Sequence, residues 1–278
     1  MAQIKEAMQE NRRKKQIYTI VTIVAACVAI GAIGYVISYN MSLKIQENVY
    51  NDLRPTEVVE VETETEISTE AESETEGIVT CESVYDFDEL HKTNEDIYAW
   101  IQIPGTLVDY PVLQSKEDNY YLDKNLDHST GYPGCIYTNK CNAKSFADMH
   151  TILYGHNMKN DSMFGSLHDY EEQEKFDTNR LIYVYTEEKR LTYEIYGAVK
   201  FTDVYIPAAY GVNSMAGNGQ FLQDLVANAE KYSSVSNIAE MEISAEDKLI
   251  TLSTCISGED TKRYIVVGVL VEEAFYKE

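Results

Sequence analysis

Hydrophobic positions follow three different rhythms along this chain. Over 17–39 (IYTIVTIVAACVAIGAIGYVISY) they run for 23 residues with no charged side chain. As a helix this stretch spans about 34 Å, enough to cross a hydrocarbon core of about 30 Å. No face of it is polar, which argues against a core helix of a soluble domain. A cleaved signal peptide is the competing reading, but its apolar region usually covers only about 7–15 residues. The second rhythm, over 57–76, is Val-Glu, Thr-Glu and Ser-Glu alternation with nine Glu and no basic residue. Its period matches a strand, yet the glutamates on one face would repel one another and bury almost nothing. It predicts an extended, solvated stalk.

The third rhythm starts near residue 82 and is that of a folded domain. The run SVYDFDELHKTN over 83–94 has Ser83 as an N-cap and Val84, Phe87 and Leu90 at helical spacing, so it predicts a short helix. Eight strands are predicted, at 99–103, 109–113, 134–138, 151–154, 181–186, 190–201, 248–254 and 263–273. They are rich in Ile, Val, Tyr and Thr and separated by Gly, Pro, Asn or Asp. LITLST and YIVVGVLV read as buried on both faces. One helix interrupts the strands at 220–231, with Phe221, Leu222, Leu225 and Val226 on a common stripe. Many strands and few helices point to a closed or nearly closed β-barrel.

Charge turns these segments into a topology. The 278 residues carry 46 acidic and 23 basic side chains, a formal −23. That balance excludes a nucleic-acid partner, because a phosphate backbone selects for clustered Lys and Arg. Residues 1–16 are net +3, 40–81 net −9 and 82–278 net −17. A basic flank before the apolar run and an acidic one after it orient a single-pass anchor with its N-terminus in the cytoplasm. The expected organisation is a basic cytoplasmic tail (1–16), a transmembrane signal anchor (17–39), an acidic disordered stalk (40–81) and an extracellular catalytic domain (82–278).

The candidate chemistry is sparse. There is no GxGxxG, GxxxxGK[ST], HExxH or GxSxG, and no cofactor is expected. His150, His156, His168, Cys135 and Cys141 have no recognised metal-ligand spacing. Cys135 and Cys141, six residues apart, suit either a short-loop disulfide or two free thiols. Cys255 differs from the other cysteines: it ends the strand LITLST and precedes the turn-like Ile-Ser-Gly-Glu-Asp, where a thiol is both rigid and accessible. A nucleophilic thiol needs a proton acceptor and an oxyanion donor. His156, at the end of the strand TILY, is the best acceptor. His91, His128 and His168 lie in polar stretches that read as exposed. Arg263 opens the strand after Cys255, so the two could project from one rim. Each of the three also has a plain structural reading: a strand-end Cys, a capping His, a surface Arg.

These residues resemble the sortases. Thr251-Leu252-Ser253-Thr254-Cys255 matches their TLxTC signature. Thr151-Ile152-Leu153-Tyr154-Gly155-His156-Asn157-Met158, followed by Ser162-Met163-Phe164-Gly165, is similar to the His segment of class B. So are Trp100-Ile101-Gln102-Ile103-Pro104-Gly105-Thr106, Asp109-Tyr110-Pro111-Val112-Leu113-Gln114 and Asp118-Asn119-Tyr120-Tyr121-Leu122, in the same order. Gly134-Cys135-Ile136-Tyr137-Thr138-Asn139 departs from the class, which often has Phe and a terminal Asp there. The resemblance implies a mostly β fold: an eight-stranded sortase barrel with N-terminal helices and a helix between the sixth and seventh strands. It implies Cys255 as nucleophile, His156 as general acid/base, and Arg263, with a backbone N–H, as oxyanion partner. Ser253 and Leu122 fall near the peptide groove by the same comparison, although Ser253 reads equally as a strand hydroxyl and Leu122 as a core residue; Tyr210, in the segment before the predicted helix, is a further substrate-binding candidate. The implied activity is that of a cysteine transpeptidase and endopeptidase on a Gram-positive surface. It cleaves a secreted protein after Thr in a C-terminal sorting motif, then joins it to a peptidoglycan amine. A hydrolysis-only thiol peptidase, a pilin-polymerising enzyme and an inactive tethered binding domain are the alternatives.

Overall fold

A computed structural model describes residues 2–55 and 79–277, and divides them into two units, 1–52 and 53–278. The first unit is made of the helix α1 (Ala2–Leu53) up to Asp52, the one described helix long and apolar enough to cross a membrane. It runs through the uncharged segment and continues to Leu53, so the residues after Tyr39 begin as helix rather than as stalk. Nothing between Asn40 and Leu53 is Gly or Pro, and Pro55 supplies the stop by disfavouring helical backbone at Arg54. The far end of the expected stalk is also ordered, because Val79–Cys81 forms strand β1. The acidic run 57–76 lies outside the described residues.

The second unit holds β1 and nine further strands: β2 (Ile97–Gln102), β3 (Asp109–Leu113), β4 (Ile136–Thr138), β5 (His150–Tyr154), β6 (Leu181–Tyr185), β7 (Lys189–Thr202), β8 (Asn237–Ile238), β9 (Leu249–Cys255) and β10 (Lys262–Tyr276). Pairing runs β10-β9-β5-β4-β3-β2-β6-β7 and then returns from β7 to β10, closing an eight-stranded barrel. The two remaining strands are short additions, β1 beside the end of β10 and β8 beside β7. All eight expected strands are the barrel strands.

Among the described residues four α-helices complete the unit: α2 (Phe87–Thr93), α3 (Gln173–Thr178), α4 (Ile206–Tyr210) and α5 (Met215–Lys231). The N-cap of α2 is Asp86, whose carboxylate accepts from the Glu89 N–H, and not Ser83, whose hydroxyl donates to the Tyr85 carbonyl. Helix α5 begins five residues before the expected start, capped by Ser214. It lies between β7 and β9, the sixth and seventh strands of the barrel.

Alternation along the strands separates two buried layers. Leu249 of β9 and Ile265, Val267 and Val269 of β10 pack with Ile152, Val199 and Phe201 under Ile206 of α4 and Phe221, Leu222 and Leu225 of α5. The intervening residues Ile250, Leu252, Tyr264 and Val266 are fully buried on the opposite face, inside the barrel. Trp100, the single tryptophan, is also fully buried, and its indole N–H donates to Asp109 at 2.7 Å. Arg54 bonds the same carboxylate at 3.0 Å.

Candidate active site

The helix-covered face of β9 emerges from its cover at one end. Residues 249–254 are buried and Cys255, the last of the strand, is exposed. Cys255 pairs directly with Arg263 and Ser253 with Ile265 across the antiparallel β9–β10 ladder. Directly opposed residues share a face with Cβ atoms about 4.5–5.5 Å apart, so the thiol and the guanidinium leave the rim side by side. Arg263 pairs in turn with Phe201 of β7. Its Nη1 donates to the Lys262 carbonyl (2.7 Å) and the Asp260 carbonyl (3.1 Å), which ties the guanidinium to the rim turn.

His156 arrives from the other neighbour of β9. Strand β5 runs parallel to it, Tyr154 pairs with Ser253, and the Gly155 N–H donates to the Ser253 carbonyl at 3.2 Å. Two residues beyond that pair on each strand lie His156 and Cys255. Gly155 is required by close approach: a Cβ there would sit 2.5 Å from Ile136 Cδ1 and 2.7 Å from Phe164 Cδ2. The Phe164 N–H donates to the His156 carbonyl (3.0 Å), closing the loop behind it. The ring is held by the Leu122 carbonyl, 2.6 Å from Nε2, and faces Tyr132 at a centroid distance of 5.1 Å. A carbonyl oxygen only accepts, so the ring proton is on Nε2, which leaves Nδ1 as the nitrogen without one.

The secondary candidates separate. Leu122 reaches His156 through its backbone, and its side chain is 44% exposed, which excludes the core reading. Ser253 is buried but shares the face of Cys255. Tyr210 belongs elsewhere: its hydroxyl donates to Asp224 of α5 at 2.7 Å and its ring meets Phe221 edge-on, so it packs the α4–α5 junction. Burial pushes that hydroxyl's pKa up, and the hydrogen bond to Asp224 adds to the rise. No disulfide joins Cys135 and Cys141: the first is buried with Sγ toward the Lys124 carbonyl, the second exposed beside Tyr205. Asn139, where the class often has Asp, is buried and donates to the Tyr205 hydroxyl at 3.2 Å.

One residue of the site was not legible in the sequence. His168, in the 3-10 turn Gly165–Glu171, is not exposed: its Nε2 lies 3.1 Å from the Cys255 carbonyl and its Nδ1 2.7 Å from Glu171. The expectation failed because the flanking Leu167, Asp169 and Tyr170 give no periodic signal, and the pocket around His168 is made by β10.

A closed barrel whose rim carries a thiol, an imidazole and a guanidinium from three adjacent strands has the parts of a thiol acyl-transfer enzyme. The Sortase domain family model matches residues 101–271. Sortase B of Staphylococcus aureus is 30% identical over 190 residues, covering 67% of this chain and 75% of that protein. Sortase B of Listeria monocytogenes is 31% identical over 188 residues, 66% of this chain and 73% of its own length. Among solved structures, a Staphylococcus aureus sortase B–substrate complex matches with a TM-score of 0.56 at 28% identity, over 67% of this chain and 84% of that one. Clostridium perfringens sortase B, at 24% identity and a TM-score of 0.60 over 67% of this chain and 100% of that one, shares the fold. The chain belongs to the sortase family of cysteine transpeptidases, class B.

Proposed function

We propose that the chain is a single-pass, membrane-anchored sortase. In this reading residues 1–16 are cytoplasmic, 17–39 span the membrane, and the acidic segment after them holds the domain from residue 82 on the outer surface. The substrate is a secreted protein with a C-terminal sorting motif. The Cys255 thiolate attacks the carbonyl carbon of the motif's Thr, forming a tetrahedral oxyanion beside Arg263. His156, protonated at Nδ1, gives that proton to the leaving amine as the C–N bond breaks, and a thioester remains on Sγ. An incoming peptidoglycan amine attacks the thioester, loses its proton to Nδ1, and forms an amide as the thiolate departs. The observation that carries the reading is the cross-strand register of Cys255 with Arg263, with His156 two residues past the β5 residue that pairs with Ser253.

The test uses the full-length chain in non-ionic detergent and a quenched-fluorescence peptide library with Thr fixed before the cleaved bond. Cleavage, a thioacyl adduct on Cys255 by mass spectrometry, and a ligated product on adding an amine are expected. Cys255→Ala is expected to abolish all three with an unchanged circular dichroism spectrum. An active Cys255→Ala protein would refute the assignment, and cleavage with no ligated product for any amine would leave a hydrolase.

A further inference from the structure

The main-chain carbonyl of Cys255 is held from two sides. Asn157, the residue after His156, donates to it from Nδ2 at 3.0 Å, and His168 Nε2 lies 3.1 Å from it. The two side-chain nitrogens are themselves 3.1 Å apart. On the far side of the ring, Nδ1 lies 2.7 Å from Glu171 Oε1. The ring stacks on Tyr264 of β10, with centroids 4.7 Å apart and planes 23° off parallel. Tyr264, which is fully buried, follows Arg263, so one ring packs against both strands that carry the rim.

The proton positions follow from the partners. A carboxylate and a carbonyl oxygen both accept, so a ring protonated on both nitrogens satisfies Glu171 and Cys255 together. With a proton only on Nδ1, Nε2 accepts from Asn157 and the carbonyl keeps a single donor. Around the ring the titratable groups are Glu171 and Asp169 on its own turn and Tyr264 from β10.

We propose that Glu171, His168 and Asn157 form a positioning cluster that fixes the peptide unit after Cys255, and with it the direction of the thiol. These are positioning residues, since each acts through the backbone of the nucleophile rather than on substrate. The proposal rests on Cys255 being the nucleophile. Its cost if lost is that of one hydrogen bond to the backbone of the nucleophile, a fall in turnover of about 10-fold.

The experiment uses the full-length chain in detergent and the library peptide that the wild type cleaves fastest. His168→Phe keeps the stack on Tyr264 and removes the donor, and should lower kcat about 10-fold with KM unchanged. His168→Gln restores one donor and should recover kcat to within about twofold. Wild-type kcat in His168→Phe, or a kcat in His168→Gln as low as in His168→Phe, overturns the proposal. If His168→Phe does not fold, Glu171→Gln serves instead: it replaces the carboxylate that holds Nδ1 with a weaker amide acceptor and should lower kcat about threefold, and an unchanged kcat overturns the proposal. Cys255→Ala, run in parallel, separates the two levels. An inactive Cys255→Ala beside an unaffected His168→Phe sinks the cluster alone, whereas an active Cys255→Ala removes the reading beneath it.

Discussion

Six residues before His156, the first residue of β5 holds an imidazole of the opposite kind. His150 is fully buried beneath α5: Nε2 lies 2.7 Å from Thr251 Oγ1, Nδ1 has no partner, and the ring meets Phe221 at 4.6 Å. Burial pulls its pKa from 6.5 down to about 3. The unfolded chain therefore takes up a proton near pH 6.5 that the folded chain refuses until about pH 3. Between these values the unfolded state binds more protons, so this group makes stability rise with pH and fall on acidification. From pH 7.5 to 4.5 the loss assigned to His150 is about 3 kcal/mol. His150→Gln keeps a donor for Thr251 and cannot titrate over this range. Its intrinsic cost is the same at both pH values, and all other titrations are shared with the wild type. Urea unfolding followed by Trp100 fluorescence, at both pH values in both proteins, isolates the term. The wild type should lose about 3 kcal/mol more than His150→Gln on acidification. Equal losses, within about 0.5 kcal/mol, would refute a neutral buried His150.

Three further outcomes are expected. Arg263→Lys should lower kcat about 100-fold, the cost of a misplaced oxyanion donor, because an ammonium cannot hold the two rim carbonyls and still present the planar fork; steady-state turnover near the wild type would sink that role. Arg190, whose side chain is 5% exposed, bonds Glu272 at 2.7 Å; Arg190→Met should lower stability by about 2–3 kcal/mol in urea titrations by leaving a partly buried carboxylate unpaired. Gly134 has φ +67° and a Cβ there would lie 2.8 Å from the Leu122 carbonyl that holds His156; Gly134→Ala should destabilise by about 1–3 kcal/mol and lower kcat, and a variant with unchanged melting and turnover would contradict the close approach.

The barrel was legible because its strands are rich in β-branched and Tyr residues, alternating in TYEIYGAV and apolar throughout in YIVVGVLV, and end at turn formers. What the pattern missed, it missed for identifiable reasons. Strands β1 and β8 have three and two residues, too few for a period to register. The first turn of α5 reads Met215-Ala216-Gly217-Asn218-Gly219, and two glycines there argue against helix. The Ser214 cap and the approach of the Tyr210 carbonyl to Gly217 override that propensity. Cys255, His156 and Arg263 were legible as strand-end residues, and their motifs are those of the family. His168 and the neutrality of His150 were not, since each is defined by a strand distant in sequence.

The chemistry at the rim depends on the register of β10, and the core sets that register. A slip of one residue against β9 would turn Arg263 into the barrel and send Ile265, Val267 and Val269 with it, away from α4 and α5. At about 1.5–3 kcal/mol for each buried aliphatic side chain, the slip costs roughly 5–9 kcal/mol before any loss inside the barrel is counted. The irregularities in the β10–β7 pairing fall at Val267/Gly268 and Leu270/Glu272, leaving Lys262 to Val267 in unbroken register with β7. Extra twist is therefore taken up at the far end of the strand. The alternation that buries three aliphatic residues under the helices also determines that the side chain opposite Cys255 is a guanidinium.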